Sequence, residues 1–233
     1  MEAENVKEKA VSTDSIFPDS ITLVTYNVDG LESDNLKQRF QSVIDILITI
    51  KPDIILLQEV VDAHMDLIEK ELAPHYHVIV PKYTTTYYTV TFVSKIIINS
   101  HLESLKDKSR QRKEQLTECL QKMERNLDQN TLVIFGGDLN IREYEVPKLR
   151  PEIKDAWIAG GSNEDTKYTW DCQKNRNKPH IPRSVRCRFD RIYFSGPYKR
   201  VDFSLAGNQT IPNKRCFPSD HFAVLCKFWD PTN

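Results

Sequence analysis

Six short acidic, amide and histidine motifs follow one another along the chain: Asn27-Val28-Asp29-Gly30, Gln58-Glu59-Val60, Ser100-His101-Leu102-Glu103-Ser104, Gly137-Asp138-Leu139-Asn140, Arg188-Phe189-Asp190-Arg191 and Ser219-Asp220-His221. Each closes, or sits inside, an apolar run rich in β-branched residues, which places it at a strand end. Polar groups delivered from that many strand ends require a sheet scaffold that gathers them into one pocket, the way rigid frameworks build hydrolytic sites. The chain therefore reads as an enzyme.

The runs between the motifs define the scaffold. Ile21 to Tyr26 is a strand, and Leu36, Phe40, Val43, Ile44 and Leu47 then recur at helical spacing with Asp34 as the cap. Ile54 to Leu57 reads as a strand buried on both faces, and Met65 to Leu72 as a short helix. Further strands are expected at His77 to Val80, Tyr87 to Val93, Ile96 to Ile98, Leu132 to Phe135, Ile192 to Phe194, Val201 to Leu205 and Ala223 to Phe228. Leu116 to Leu127 forms an amphipathic helix. Hairpin-like stretches at Tyr83 to Ile98 and Ile192 to Leu205 favour an α/β fold of two packed sheets flanked by helices over a doubly wound nucleotide fold, for which no GxGxxG or Walker pattern exists.

With 233 residues, 39% of them hydrophobic, the length suits one large domain over residues 20 to 230. Residues 1 to 19 are charged and lack periodicity, as a flexible acidic tail would. The net charge of -1 decides nothing about a polyanionic substrate. Its distribution says more: Asp171 to Arg200 is strongly basic, a candidate phosphate-binding face that would otherwise be a solvated loop. Five cysteines without CxxC or CxxH spacing fit a reducing compartment, and no stretch approaches the roughly 20 apolar residues of a membrane span. A soluble, unsecreted protein is expected.

Glu59 is the strongest ligand for a hard divalent cation, with Asn27 and Asp29 alongside, because such ions take oxygen donors and few carboxylates. Asp138, with Asn140 two residues on, would accept the proton of an attacking water while Asn140 fixes the geometry; an Asx-turn is the simpler reading of that pair. His221, beside Asp220, would stabilise charge on a phosphoryl oxygen as imidazolium, with Asp190 on its other nitrogen. His64, His75, His77 and His180 read as structural. His101, Ser104 and Arg142 would meet phosphate oxygens, and Arg188 and Arg191 belong to the basic face. Trp170 offers a wall for stacking a base, or else a core residue.

The ordered set, together with Tyr168-Thr169-Trp170-Asp171 and Pro218-Ser219-Asp220-His221, resembles the endonuclease/exonuclease/phosphatase superfamily of Mg²⁺-dependent phosphodiesterases, and within it the 5′-tyrosyl-DNA phosphodiesterase branch. The resemblance spans about residues 21 to 229. It implies a four-layered, DNase I-like sandwich of two mixed sheets, and hydrolysis of the 5′-phosphotyrosyl bond that topoisomerase II leaves on DNA ends. Mg²⁺, with Mn²⁺ as substitute, single-stranded DNA ends as partner, a monomer, and repair in the nucleus or also the cytoplasm are further implications. So are Glu59 as metal ligand with Asn27 and Asp29 nearby, Asp138 as water activator, Asn140 on the phosphate, His221 oriented by Asp190 with Asp220 adjacent, and His101, Ser104, Arg142 and Trp170 along the DNA-end groove. An abasic-site endonuclease or a deadenylase of the same superfamily is the enzymatic rival.

One departure stands out. Between Glu59 and His101 the chain is shorter than the family pattern by roughly two strands, with Lys95 running straight into Ile96, and no counterpart can be assigned for the family's arginine facing the tyrosyl group. Lost strands expose unpaired backbone, at about 1 to 3 kcal/mol per buried unsatisfied group. The expectation is therefore that Tyr83 to Ile98 repacks or that the chain folds poorly, in which case a non-catalytic DNA-end-binding remnant is the competing reading.

Overall fold

The computed structural model describes residues 18–76, 78–80, 88–92, 96–127 and 131–229. Regular elements run in the order β1 (Ser20–Asn27), α1 (Leu36–Ile50), β2 (Ile54–Val60), α2 (Met65–Leu67), β3 (Tyr88–Phe92), β4 (Ile96–His101), α3 (Ser109–Glu124), β5 (Val133–Asp138), β6 (Lys154–Asp155), α4 (Ala156–Ala159), β7 (Trp170–Asp171), β8 (Arg186–Cys187), β9 (Asp190–Ser195), β10 (Arg200–Ala206) and β11 (Ala223–Trp229). One sheet has the order β10-β11-β1-β2-β3 and the second β4-β5-β9-β6, with β7-β8 a separate ribbon. Both large sheets are mixed: β1 and β2 run parallel, as do β4 and β5, and the other pairs are antiparallel.

Side-chain alternation along the strands explains the layers. Ile21, Leu23, Ile54, Leu56, Ile134, Ile192, Phe194, Val224, Cys226 and Phe228 point between the sheets and fill the central core. The alternate residues Val24, Tyr26, Ile55 and Leu57 face outward and take Phe40, Val43, Ile44 and Leu47 of α1. On the other sheet, Val133, Phe135 and Tyr193 take Leu116, Leu120 and Met123 of α3. The result is the helix-sheet-sheet-helix sandwich expected from the motifs.

Two expected hairpins are absent. β3 pairs with β2 in the first sheet, whereas β4 pairs with β5 in the second. Likewise β9 and β10 lie in different sheets. Periodicity specifies that a segment is a strand and which face is apolar, not which strand it pairs with. β3 and β4 are each the terminal strand of their sheet, so a shorter link between them leaves the central strands intact. The strand expected at His77 to Val80 reduces, among the described residues, to a single bridge at Ile79. Tyr83 to Tyr87 and residues 1 to 17, most of the expected tail, lie outside the described residues. Asp34 does not cap α1: the cap residue is Asn35, at φ 54° and without a side-chain hydrogen bond. No helix among the described residues is long and apolar enough to cross a membrane, and all five cysteines are free thiols.

His64 is a core residue, stacked on Phe40 with ring centroids 3.9 Å apart and taking the Val61 N–H on Nδ1 at 3.4 Å. Burial first, and Arg39 second, push its pKa down from 6.5 to about 4. A histidine held neutral contributes stability that is complete above 6.5 and lost as pH falls toward 4, since the unfolded chain takes up the proton first. His64→Phe is expected to keep the stack and remove this acid-side loss, about 3 kcal/mol for a shift of that size. Melting temperatures of the two proteins, followed from neutral pH down to 4, should diverge in the variant's favour.

Arg188 and Arg191, expected on a DNA-binding face, are buried structural cations instead. Arg188 Nη1 donates to both oxygens of Asp155 at 2.8 Å, its Nε donates to Glu143 at 3.0 Å, and its guanidinium lies 4.7 Å from the Trp157 ring centroid. Arg191 Nη2 reaches the Ile141 carbonyl at 3.2 Å and Glu143 at 3.2 Å. Arg188→Ala leaves the buried Asp155 carboxylate without its main partner, so a loss of about 3–5 kcal/mol in stability is expected. Affinity for a DNA end, the partner the resemblance implies, should keep its salt dependence; a reduced slope in a salt titration would return Arg188 to the expected basic face.

Candidate active site

The inner-face alternation that builds the central core continues to the strand ends and turns polar there. On β1, Leu23 and Thr25 lead to Asn27. On β4, Ile97 and Asn99 lead to His101. On β5, Ile134 and Gly136 lead to Asp138, and Asp190 opens β9 in the same phase. Below them Gln58 ties the sheets together, donating from Nε2 to Thr25 Oγ1 at 3.1 Å and to Asn99 Oδ1 at 2.8 Å. Glu59 is out of phase and should face α1. A register shift in β2 between Leu57 and Val60, with Glu59 at φ 57°, turns its carboxylate into the cleft. The left-handed backbone at Asp29, Glu59 and Asn140, all non-glycine, marks the rim as a place where packing sustains strain.

Gly136 and Gly137 both lie within β5. Gly137, at φ 138°, is where β4 comes closest: a Cβ there would collide with the Ser100 carbonyl. That approach brings His101 opposite Asp138 in the ladder.

Asp138 Oδ2 is the centre of the site. Asn27 Nδ2 donates to it at 3.0 Å, His101 Nε2 lies 3.4 Å away and His221 Nε2 3.7 Å away. Its Oδ1 accepts the Asn140 N–H at 3.0 Å, so the Asx-turn is present as well. One carboxylate therefore does both, with Oδ1 anchored locally and Oδ2 turned toward Asn27, His101 and His221. Asn27 repeats the device: Oδ1 accepts the Asp29 N–H at 2.9 Å, and Nδ2 is shared between Asp138 and Glu59 Oε1, the latter at 2.9 Å. Asn140 Nδ2 donates to the Leu102 carbonyl at 3.2 Å, linking the β5 and β4 loops.

His221 Nδ1 lies 2.7 Å from Asp190 Oδ2. Burial alone would lower its pKa, but Asp190, then Asp138 and Asp220, outweigh burial and raise it well above 6.5, which favours the imidazolium. Asp190 is held by its own backbone N–H on Thr169 Oγ1 at 3.0 Å. Ser219 Oγ accepts the His221 N–H at 3.1 Å and donates to the Asn27 carbonyl at 2.6 Å. Thr169 and Ser219 stand inside motifs read for their neighbours, and nothing in a lone hydroxyl residue distinguishes them in the sequence.

Asp29 is placed otherwise than expected. Its carboxylate takes Lys178 Nζ at 3.1 Å and Arg39 Nη1 at 3.4 Å rather than facing Glu59. Burial first, then Asp220, push its pKa up to about 6, with Lys178 and Arg39 pulling back. Asp220 accepts the Trp170 indole N–H at 3.1 Å. Trp170 is half-buried at the cleft edge, 5.7 Å from Phe189, and Arg142 lies 5.3 Å from the same Phe189 ring. Arg142 Nη1 donates to the Asn140 carbonyl at 2.8 Å, while Ser104 is exposed at the rim.

Glu59, His101 and Asp138 bring ligand atoms within 4.8 Å of one another, and so do Asp138, Asp190 and His221. Among the described residues neither Glu59 nor Asp138 pairs with Lys or Arg. Two adjacent carboxylates with an amide between them, bordered by His101 and His221, make an oxygen-rich donor set that fits a hard divalent cation.

A sandwich of this topology, with one acid, amide and histidine cluster at its rim, is a phosphoesterase scaffold. The chain belongs to the Endonuclease/Exonuclease/phosphatase family, whose model matches residues 24–221. It is similar to a 5′-tyrosyl-DNA phosphodiesterase of Caenorhabditis elegans, 36% identical over 244 residues that take in 90% of this chain and 67% of the relative. That alignment is longer than the 233-residue chain although it takes in only part of it, so the relative carries extra residues inside the shared span. The crystal structure of truncated C. elegans TDP2 superposes with a TM-score of 0.86 at 35% identity, covering 90% of this chain and 98% of that one. Danio rerio TDP2, complexed with single-strand DNA product, gives 0.81 at 28% identity, covering 91% and 99%.

Proposed function

We propose that this chain is a metal-dependent 5′-tyrosyl-DNA phosphodiesterase that frees DNA 5′ ends of tyrosyl or peptide adducts left by topoisomerase II, in nuclear double-strand break repair. The convergence of Asn27, His101 and His221 on Asp138 Oδ2, beside Glu59, carries the reading. The activity named for the C. elegans relative and the single-strand product bound to the zebrafish one support the substrate class. Residues 20 to 230 act as one catalytic domain, with residues 1 to 19 an appended tail.

Glu59, with the Asn27 side chain beside it, would hold Mg²⁺ or, as substitute, Mn²⁺, and a bound ion would supply Lewis-acid neutralisation of phosphoryl charge. Asp138 Oδ2 accepts the proton of the attacking water, and Asn27 Nδ2 and the Asn140 backbone keep that oxygen aimed. His221, as imidazolium, donates from Nε2 to a phosphoryl oxygen, and Asp190 fixes its orientation through Nδ1. His101 Nε2 and Arg142 meet the phosphate from the other side. Trp170 and Phe189 form the edge on which the terminal base stacks.

Release of free tyrosine from a 5′-phosphotyrosyl single-stranded oligonucleotide, with Mg²⁺ and with chelator, tests the reading. Metal-dependent release faster than turnover of abasic or poly(A) ends is expected. No release from a protein with a folded far-UV spectrum would reject it in favour of a binding role.

A further inference from the structure

The catalytic cluster leaves unexplained a second charged pair, Arg112 with Glu145, whose side chains are 0% and 1% exposed. Arg112 lies on the apolar face of α3, among Leu116, Cys119, Leu120 and Met123. A buried pair is weak evidence for stability, because desolvation offsets most of the attraction. What it touches suggests another role. Arg112 Nη1 donates to the carbonyls of Glu103, Ser104 and Leu105 at 2.9, 3.3 and 2.9 Å, the three residues one step beyond His101-Leu102. Its Nη2 and Nε hold Glu145 at 2.6 and 3.2 Å. Glu145 in turn accepts the Arg142 backbone N–H at 2.9 Å and the Ser109 hydroxyl at 2.5 Å.

The pair therefore grips both loops that frame the site from the second sheet: the β4 loop carrying His101, and the β5 loop carrying Asn140 and Arg142. Apart from the Leu102 N–H to the Asp138 carbonyl at 3.0 Å and the packing of Leu102 with Leu139 and Ile141, the bonds between these loops are Asn140 Nδ2 to the Leu102 carbonyl and Arg142 Nη1 to the Ser104 carbonyl, the latter at 3.5 Å. A forked cation satisfying three successive carbonyls and one carboxylate fixes their spacing in a way that no apolar pair can.

We propose that Arg112 and Glu145 are positioning residues that set the distance between the His101 and Asn140-Arg142 loops, and hence the phosphate seat, without touching substrate. The proposal rests on the phosphodiesterase reading for its kinetic arm and on geometry alone for its binding arm. Misplacement of reacting groups by about 1 Å costs on the order of 100-fold in rate.

The test is the double variant Arg112→Met/Glu145→Leu, which removes both charges and keeps apolar volume, with Arg112→Lys as a milder partner that keeps the charge but loses the fork. Three quantities are read: melting temperature, affinity for a 5′-phosphorylated single-stranded oligonucleotide in chelator, and kcat and KM on the tyrosyl oligonucleotide. The expected result is a double variant that melts within a few degrees of the parent, binds the phosphorylated end about tenfold more weakly and loses on the order of 100-fold in kcat, with Arg112→Lys intermediate. Binding and kcat within about threefold of the parent would overturn the proposal. So would an unfolded double variant alongside a fully active Arg112→Lys, which would make the pair a fold element only. A parent that cleaves no tyrosyl end fails the functional reading, while the binding arm still decides this one.

Discussion

Asp138→Asn is expected to lower turnover by about 10³-fold, the contribution of a positioned general base, while leaving the fold unchanged. The shape is conserved and the Asn140 N–H keeps an oxygen acceptor at the Oδ1 position. What changes is Oδ2, where an amide nitrogen would face the Asn27 amide donor and the two histidines, and cannot take a proton from water. Relief of the crowded negative charge offsets the lost hydrogen bond, so the melting temperature should move little. The variant also tests His221. Asp190, Asp138 and Asp220 together hold the imidazolium against burial, and activity that needs the charged ring is lost as pH rises through its pKa. Removing the Asp138 charge lowers that pKa, so the alkaline limb of the residual activity should shift to lower pH. Single-turnover rates against pH measure both effects. A variant within tenfold of the parent, or one whose alkaline limb stays in place, would remove Asp138 from the role of base.

Much of this site is readable in the chain because strand alternation is the same rule for core and chemistry. Once Leu23 and Ile134 are assigned inward, Asn27 and Asp138 follow in phase, and their meeting across the two sheets is a consequence of period two. The rule also explains what could not be read. Glu59 is one residue out of phase and reaches the cleft only through a bulge that no residue pattern announces. Arg188 and Arg191 look like a basic face in a composition window, yet they turn beneath the Phe189 edge onto Asp155 and Glu143, acidic residues 33 to 48 positions away. Asp29 has the right neighbour and the wrong partners, because Lys178 arrives from a distant segment and Arg39 from the helix α1 that follows. Pairing of β3 with β2 and of β4 with β5 is likewise a long-range choice. Its effect is to place the chain's shortening at two sheet margins, where the cost of fewer strands is least.

Glu59→Gln separates metal binding from every other role in the cluster. In the absence of cation the amide keeps its oxygen for Asn27 Nδ2 and removes one of two adjacent carboxylates, so the variant should be as stable as the parent or slightly more so. Saturating Mg²⁺ or Mn²⁺ reverses the order. A ligand present at about 100 times its Kd stabilises by about 2.7 kcal/mol, and the parent should show that rise in melting temperature while the variant shows little. Turnover should fall by about 10³-fold, comparable to other losses of electrostatic stabilisation at a reacting phosphoryl group. The two signs together are diagnostic: a merely structural glutamate would destabilise the metal-free protein when replaced and leave the metal response intact. If the variant still gains stability from Mg²⁺, the ion is held by the neighbouring Asp138, Asp190 and His221 group instead. His221 would then be a ligand rather than a proton donor, and the division of labour between the two halves of the site would have to be reversed.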